Sequence, residues 1–276
     1  MRPRALAVSG RGLVDPAEPV LAADDEGFTR GRAAFETLRV YGGRPFRLAQ
    51  HLERLRRSAS ILGVEPPPAG EIEELVELAL DAAELPDAAL RLYWTPGPPG
   101  GKPFGLVFVS PVPDTFEPLR AHGLRLASLE VPRRQQPWLL PGSKSVSYAV
   151  NMAVEAEAKR RGADDAVFVD EAGIVLEGPT TNIWWRRDDV LLTPSLTLGI
   201  LAGETRASML ELAGPCRFRV EEGEYPLQAL LDAEEIFTTS SLREVMPVVQ
   251  VDGRPFPRGH AAASLQAALR REAGAG

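Results

Sequence analysis

The sequence predicts an α/β fold in two domains. Strand-like apolar runs and stretches of helical periodicity follow one another along all 276 residues. Pro111-Val112-Pro113-Asp114-Thr115-Phe116-Glu117-Pro118 places three prolines in eight residues, a composition expected of a linker rather than of a sheet interior or a helix. With 44% hydrophobic residues, a chain of this length can fill one large core or two modest ones. The expected division is an N-terminal α/β domain over 1–110, a linker over 111–118 and a C-terminal domain over 119–276, the second richer in short strands.

The elements follow in order. Leu38 to Tyr41 and Arg44 to Leu48 read as a hairpin around Gly42-Gly43. Ala49 to Leu62 reads as a helix with Leu52, Leu55, Ala59 and Leu62 on one face. Gly63 ends it, and Pro66-Pro67-Pro68 prevents its resumption. A second helix is expected from Glu71 to Leu85, with Ile72, Leu75, Val76 and Ala79 inward. Strands follow at Ala89–Trp94 and Gly105–Val109, joined by the Gly/Pro-rich stretch from Pro96 to Pro103. Past the linker, Leu124 to Val131 reads as a strand and Ser145 to Arg161 as a helix. Asp165–Val169 and Ile174–Leu176 read as a hairpin. Short strands are expected at Ile183–Trp185 and Val190–Leu192, a helix at Thr205–Leu212 and a strand at Ile236–Thr239. Val248–Val251 turns at Asp252-Gly253, and a last helix runs from His260 to Arg271. No internal repeat is present, and the tail from Glu272 is expected to fray.

Composition removes several function classes. A net charge of −7, with arginines balanced by 38 acids, argues against a general nucleic-acid binder. The single Cys216 gives neither an internal disulfide framework nor a cysteine metal cluster, and His51, His122 and His260 are scattered, so no metal site is expected. Cys216 and the histidines read as structural. The apolar stretch after Met1-Arg2-Pro3-Arg4 is short for a signal peptide, and no run approaches a membrane span. The expectation is therefore a cytoplasmic protein.

Among 31 basic residues only Lys102, Lys144 and Lys159 are lysine. Arginine cannot become a nucleophilic amine, whereas lysine can. Lys144 lies in Gly142-Ser143-Lys144-Ser145-Val146-Ser147-Tyr148, at an expected loop-to-helix entry. Glu177-Gly178-Pro179-Thr180-Thr181-Asn182 puts a carboxylate at a strand mouth, where it either faces a cleft or sits in an ordinary polar loop. Gly203-Glu204-Thr205 opens a helix whose free N–H groups suit a phosphate or a plain cap. Thr238-Thr239-Ser240-Ser241 leaves a strand with four hydroxyls, either a second anion site or a Ser/Thr turn. Arg54 lies beside the apolar stripe of its helix, positioned either as a phosphate clamp or as a solvated arginine.

Taken together, the lysine, the hairpin, Glu-x-x-x-x-Asn and Leu-x-Gly-x-Thr-Arg entering a helix resemble the class IV aminotransferases. These are pyridoxal 5'-phosphate enzymes of fold type IV. They include D-amino-acid and branched-chain aminotransferases, (R)-amine transaminases and aminodeoxychorismate lyases. The resemblance runs from Gly31-Arg32-Ala33-Ala34-Phe35-Glu36-Thr37-Leu38-Arg39 to Glu244-Val245-Met246-Pro247-Val248. It implies a smaller N-terminal α/β domain and a larger C-terminal domain with a pseudo-barrel. It also implies a homodimer whose shared active site takes a loop from the partner subunit.

By the same resemblance, Lys144 forms the Schiff base with the cofactor and moves the proton in catalysis. Glu177 pairs with the pyridine nitrogen, and Tyr148 lies near the cofactor's phenolic oxygen. Arg54, Thr205 and the backbone of Glu204 form the phosphate cup, with Ser241 and Ser240 as hydroxyl neighbours. Asn182 supports the loop of Glu177. Phe35, Thr37 and Leu242 are expected near substrate, with Arg30, Arg32, Arg39 and Arg243 as candidate carboxylate partners. Two departures bear on substrate. The Arg-x-His pair of the best-known D-amino-acid aminotransferases is absent from Thr95–Lys102. Thr37 replaces the glycine of the branched-chain motif Phe-Glu-Gly-x-Arg. The expected activity is transamination between a D-amino acid or related (R)-amine and a 2-oxo acid. Aminodeoxychorismate lyase, branched-chain aminotransferase and a pyridoxal phosphate-binding protein without turnover are the alternatives.

Overall fold

The computed structural model describes residues 3–131 and 142–274. They form two compact units, one of residues up to Pro113 together with Ser143–Tyr148, the other of Asp114–Gly142 and Ala149–Gly274. The segment bearing Lys144 therefore clusters with the first unit, whereas the sequence reading put it in the second.

The first unit is built on a six-stranded sheet of β1 (Ala5–Val8), β2 (Gly12–Val14), β3 (Ala34–Tyr41), β4 (Arg44–Pro45), β5 (Ala88–Thr95) and β6 (Phe104–Pro111), in the order β2-β1-β6-β5-β3-β4. A short α1 (Glu26–Arg30) precedes β3, and α2 (Leu48–Ile61) and α3 (Glu71–Ala83) follow β4. The helical periodicity read from sequence is what packs these two helices on the sheet. Leu52, Leu55 and Ala59 of α2 and Ile72, Val76 and Ala79 of α3 meet Leu38, Val40, Leu90, Leu92 and Val107 in one core. Glu71, Glu73 and Glu74 occupy the first turn of α3, where the helix dipole favours negative charge. The opposite face of the sheet carries a smaller cluster of Leu6, Val8 and Leu106, flanked by Tyr93 and Phe108.

The second unit holds β7 (Leu124–Glu130), β8 (Asp165–Val169), β9 (Asn182–Arg187), β10 (Val190–Pro194), β11 (Arg219–Gly223), β12 (Glu235–Ser240), β13 (Glu244–Val251) and β14 (Arg254–Pro255). Their sheet runs β11-β10-β9-β12-β13-β7-β8, with β14 paired to β13. The helices are α4 (Phe116–His122), α5 (Ala149–Arg160), α6 (Glu204–Ala213), α7 (Leu227–Leu231) and α8 (His260–Glu272). The core joins Leu124, Leu126, Val167, Ile183, Trp185, Ile236, Met246 and Val248.

Three expectations need correction. The helix expected from Ser145 starts at Ala149, because residues 145–148 spend their backbone groups outside any helix. Ser145 bridges Ala34, and the Val146 N–H donates to Ala33 O at 3.0 Å. The last residues of the proline-rich linker, from Phe116 to Pro118, open α4. Its Pro118 lies in the helix's first turn, where a missing N–H costs no intrahelical bond. Ile174–Leu176 makes isolated bridges from Ile174 to Pro226 and from Val175 to Val169 rather than a regular strand. The end of the tail, Ala275-Gly276, lies outside the described residues.

Candidate active site

Lys144 is fixed by its backbone before its side chain does anything. Its carbonyl accepts from Phe35 N–H at 3.0 Å and its own N–H donates to Ser58 Oγ at 3.1 Å. Three residues on, Ser147 Oγ donates to Gly31 O at 3.0 Å. Gly31 ends α1 with φ +67°, and a Cβ there would run into Ser147 Oγ, so both the angle and the space require glycine. These bonds lay the lysine segment along the end of β3. The Nζ of Lys144 then stands 4.3 Å from the Phe35 ring centroid and 3.3 Å from Tyr148 Oη. Phe35 and Tyr148 meet edge to face at 5.1 Å. An amine over an aromatic face is attracted by the ring quadrupole while the ring displaces its water.

On the other face of β3, Glu36 is fully buried. Its Oε1 accepts from Arg54 Nε at 2.7 Å, and its Oε2 accepts from Arg54 Nη2 at 2.6 Å and lies 2.7 Å from His51 Nδ1. His51 and Arg54 sit three apart on α2, one turn, so both reach the same carboxylate. Burial alone would raise the Glu36 pKa. The Arg54 charge and hydrogen bonds, with those of His51, outweigh it and hold the carboxyl at about 2. Arg54 is thus buried against a carboxylate and not solvated. The sequence reading named Arg54 but passed over Glu36 and left His51 without a partner. The available signal was a single acid on an apolar strand opposite a His-x-x-Arg helix face.

In the second unit Glu177 is buried, with Oε2 accepting from Leu201 N–H at 3.0 Å and from Asn182 Nδ2 at 3.4 Å. Asn182 Nδ2 also donates to Leu201 O at 3.0 Å. Asn182 therefore braces the Glu177 carboxylate and the strap before α6. A Cβ at Gly203 would strike Asn182 Oδ1, which explains the glycine at the helix entrance. Gly203 is extended and α6 has no side-chain cap, so the N–H groups of its first turn, with Glu204 and the buried Thr205, lie at an N-terminus suited to an anion. Ser240 ends β12, and Ser241 and Leu242 lie in the turn before β13. Ser240 Oγ accepts from Arg243 N–H at 3.4 Å.

The four candidate carboxylate arginines separate clearly. Arg32 pairs with Glu26 at 2.5 Å and donates to the carbonyls of Leu62 and Gly63. Arg243 pairs with the buried Asp165. Both cations pair with the protein's own acids. Arg30 is exposed at the end of α1. Arg39 lies on the same face of β3 as Phe35 and Thr37, its guanidinium 5.1 Å from the Tyr41 ring.

The family model of amino-transferase class IV matches residues 33–251. The chain belongs to the class IV aminotransferases. This class IV chain is 35% identical over 262 residues to a bifunctional aminodeoxychorismate lyase / D-amino acid transaminase of Mycobacterium tuberculosis, covering 89% of this chain and 91% of the relative. It superimposes with TM-score 0.91 and 33% identity on a hypothetical aminotransferase from Mycobacterium tuberculosis in an α-ketoglutarate- and PMP-bound form, over 97% of this chain and 99% of that one. A fold IV transaminase from Curtobacterium pusillum matches at 36% identity and TM-score 0.89, over 95% and 97%. The fold is therefore type IV, and the class depends on pyridoxal phosphate.

The residues of this class IV chain fit that cofactor. An aldehyde needs an amine, and Lys144 Nζ sits over a ring beside a tyrosine hydroxyl. A pyridine nitrogen needs a fixed carboxylate, and Glu177 is buried and braced. A phosphate needs clustered donors, and the α6 N-terminus has no side-chain cap. Among the described residues, no group of His, Cys, Asp and Glu could hold a metal ion, and no helix is long and apolar enough to cross a membrane.

Proposed function

We propose that the protein is a transaminase moving an amino group between a D-amino acid or related (R)-amine and a 2-oxo acid. The placement of the Lys144 amine against Phe35 and Tyr148 carries this reading. The 35% identity to a bifunctional lyase / D-amino acid transaminase supports the choice of substrate. Thr37, standing where branched-chain enzymes have glycine, points away from branched-chain substrates.

When bound, pyridoxal phosphate supplies an aldehyde carbon for amines and a ring that accepts electrons. Lys144 would hold it through Nζ, and the same amine would move the proton of the substrate α-carbon. Glu177 keeps a proton on the pyridine nitrogen by its negative charge. Tyr148 donates from Oη toward the phenolic oxygen. Arg54, the Glu204 and Thr205 N–H groups, the Thr205 hydroxyl and the Ser241 hydroxyl hold the phosphate, with Ser240 beside them. Phe35, Thr37 and Leu242 border the substrate. The working form is a homodimer sharing its active sites.

A second reading, aminodeoxychorismate lyase, is favoured by the same bifunctional relative. A half-reaction panel followed by cofactor absorbance separates the two. D-Alanine, D-glutamate, L-leucine and (R)-1-phenylethylamine are tried beside a pyruvate-release assay with aminodeoxychorismate. Conversion of the cofactor to its pyridoxamine form by a D-amino acid or the (R)-amine is the expected result. Pyruvate release with no conversion by any amine would overturn it in favour of the lyase.

A further inference from the structure

The hairpin of β12 and β13 turns through Ser241, Leu242 and Arg243, with Ser240 opposite Glu244. Short hairpin loops often need one left-handed residue, a place that glycine usually takes because a Cβ is strained there. Here the residue is Glu244, at φ +57°. Its side chain is fully buried. A glutamate at such an angle, taken out of water, carries two costs at once, and strain of this kind collects at functional sites.

Three partners from two helices offset the loss of water. Glu244 Oε2 accepts from Gln266 Nε2 at 2.6 Å and from Arg270 Nη2 at 2.9 Å, both on α8, and lies 2.9 Å from Arg120 Nη2 on α4. The same two helices hold the main chain on either side of Glu244. Arg120 donates to Arg243 O at 2.7 Å and to Val245 O at 3.3 Å, and Gln266 Oε1 accepts from Val245 N–H at 2.9 Å. Asp165 on β8 pairs with the Arg243 side chain. Glu244 thus orients two side chains, Arg120 and Gln266, that fix the backbone where the turn rejoins the sheet.

Glu235, at the other end of the hairpin, shows what stability alone asks for. It is also buried, and it takes Arg186 and the Ala261 and Ala262 N–H groups of α8. It does so from the regular start of β12, with no left-handed backbone. The partners of Glu244 instead bond the last carbonyl of the turn that bears Ser241.

We infer that Glu244 is a positioning residue for the cofactor's phosphate. Through Arg120 and Gln266 it sets the path of the turn that presents the Ser241 hydroxyl. This rests on the reading of Ser241 as a phosphate donor. A hydroxyl on a fixed turn loses little freedom when the phosphate arrives, so slack in the turn is read as weaker phosphate binding.

The test titrates the full chain, stripped of cofactor, with pyridoxal 5'-phosphate and with pyridoxal, which lacks the phosphate, and follows absorbance. Glu244→Gln should weaken pyridoxal 5'-phosphate by about tenfold to a hundredfold, the range of one hydrogen bond to a charged group. It should leave the affinity for pyridoxal unchanged. Glu235→Gln is the control: it should lower stability in urea and leave both affinities at wild-type values. Wild-type affinity for pyridoxal 5'-phosphate in Glu244→Gln would overturn the inference. So would an equal loss for the two aldehydes, or an equal loss in Glu235→Gln, since either would mean a general loosening of the fold. If Glu244→Gln does not fold, Gln266→Leu, at a half-buried position, decides by the same outcomes. Failure of the phosphate reading looks different: Ser241→Ala would then keep wild-type affinity for pyridoxal 5'-phosphate, and the inference would fall with it.

Discussion

Glu36 has no contact with water and still keeps its charge, because Arg54 and His51 replace the water it lost. Removing that charge leaves Arg54 buried and uncompensated, so Glu36→Gln should cost about 3–5 kcal/mol in urea unfolding. It should also weaken cofactor retention through the displaced Arg54. Unchanged stability would mean that the pair is not formed. The pH dependence has a definite sign. The folded pKa, about 2, lies below the ordinary 4.5, so the stabilisation is complete above pH 4.5 and is lost as pH falls toward 2. Acid unfolding of the wild-type protein should track that window, and Glu36→Gln should flatten it. Sequence carried the residue types but not this pairing. Glu36 and Arg54 are eighteen positions apart, and only the packing of α2 on β3 brings them together.

Elements with strong periodicity were the legible ones. Leu52, Leu55 and Ala59 repeat at helical spacing, and α2 forms where they predict it. Leu55→Ala should cost about 2–5 kcal/mol, since the side chain is fully enclosed. Residues 145–148 were misread as helix because small polar residues suit a helix entry equally well. Their backbone bonds go to Ala33 and its neighbours, more than 100 positions earlier, and no local pattern encodes that. Gly31→Ala tests this element. The left-handed φ should cost about 1–2 kcal/mol, and the crowded Ser147 should shift the lysine segment and redden or bleach the cofactor band. A variant with wild-type melting and spectrum would show that the Gly31 contact does not position Lys144. β1 and β2, at four and three residues, were too short to announce themselves.

At the scale of the whole molecule, class membership was readable because several motifs kept their order along the chain, and the family match over residues 33–251 agrees. Substrate was not readable, since the pairing of arginines with acids is set by the fold: Arg32 meets Glu26 and Arg243 meets Asp165. Light scattering should report a dimer, with a monomer at working concentration contradicting the shared active site. The account turns on Lys144, and borohydride reduction of the purified yellow holoenzyme followed by peptide mass analysis tests it directly. The predicted result is cofactor mass fixed on the peptide that contains Lys144. A colourless protein, or label on the peptides of Lys102 or Lys159, would contradict it.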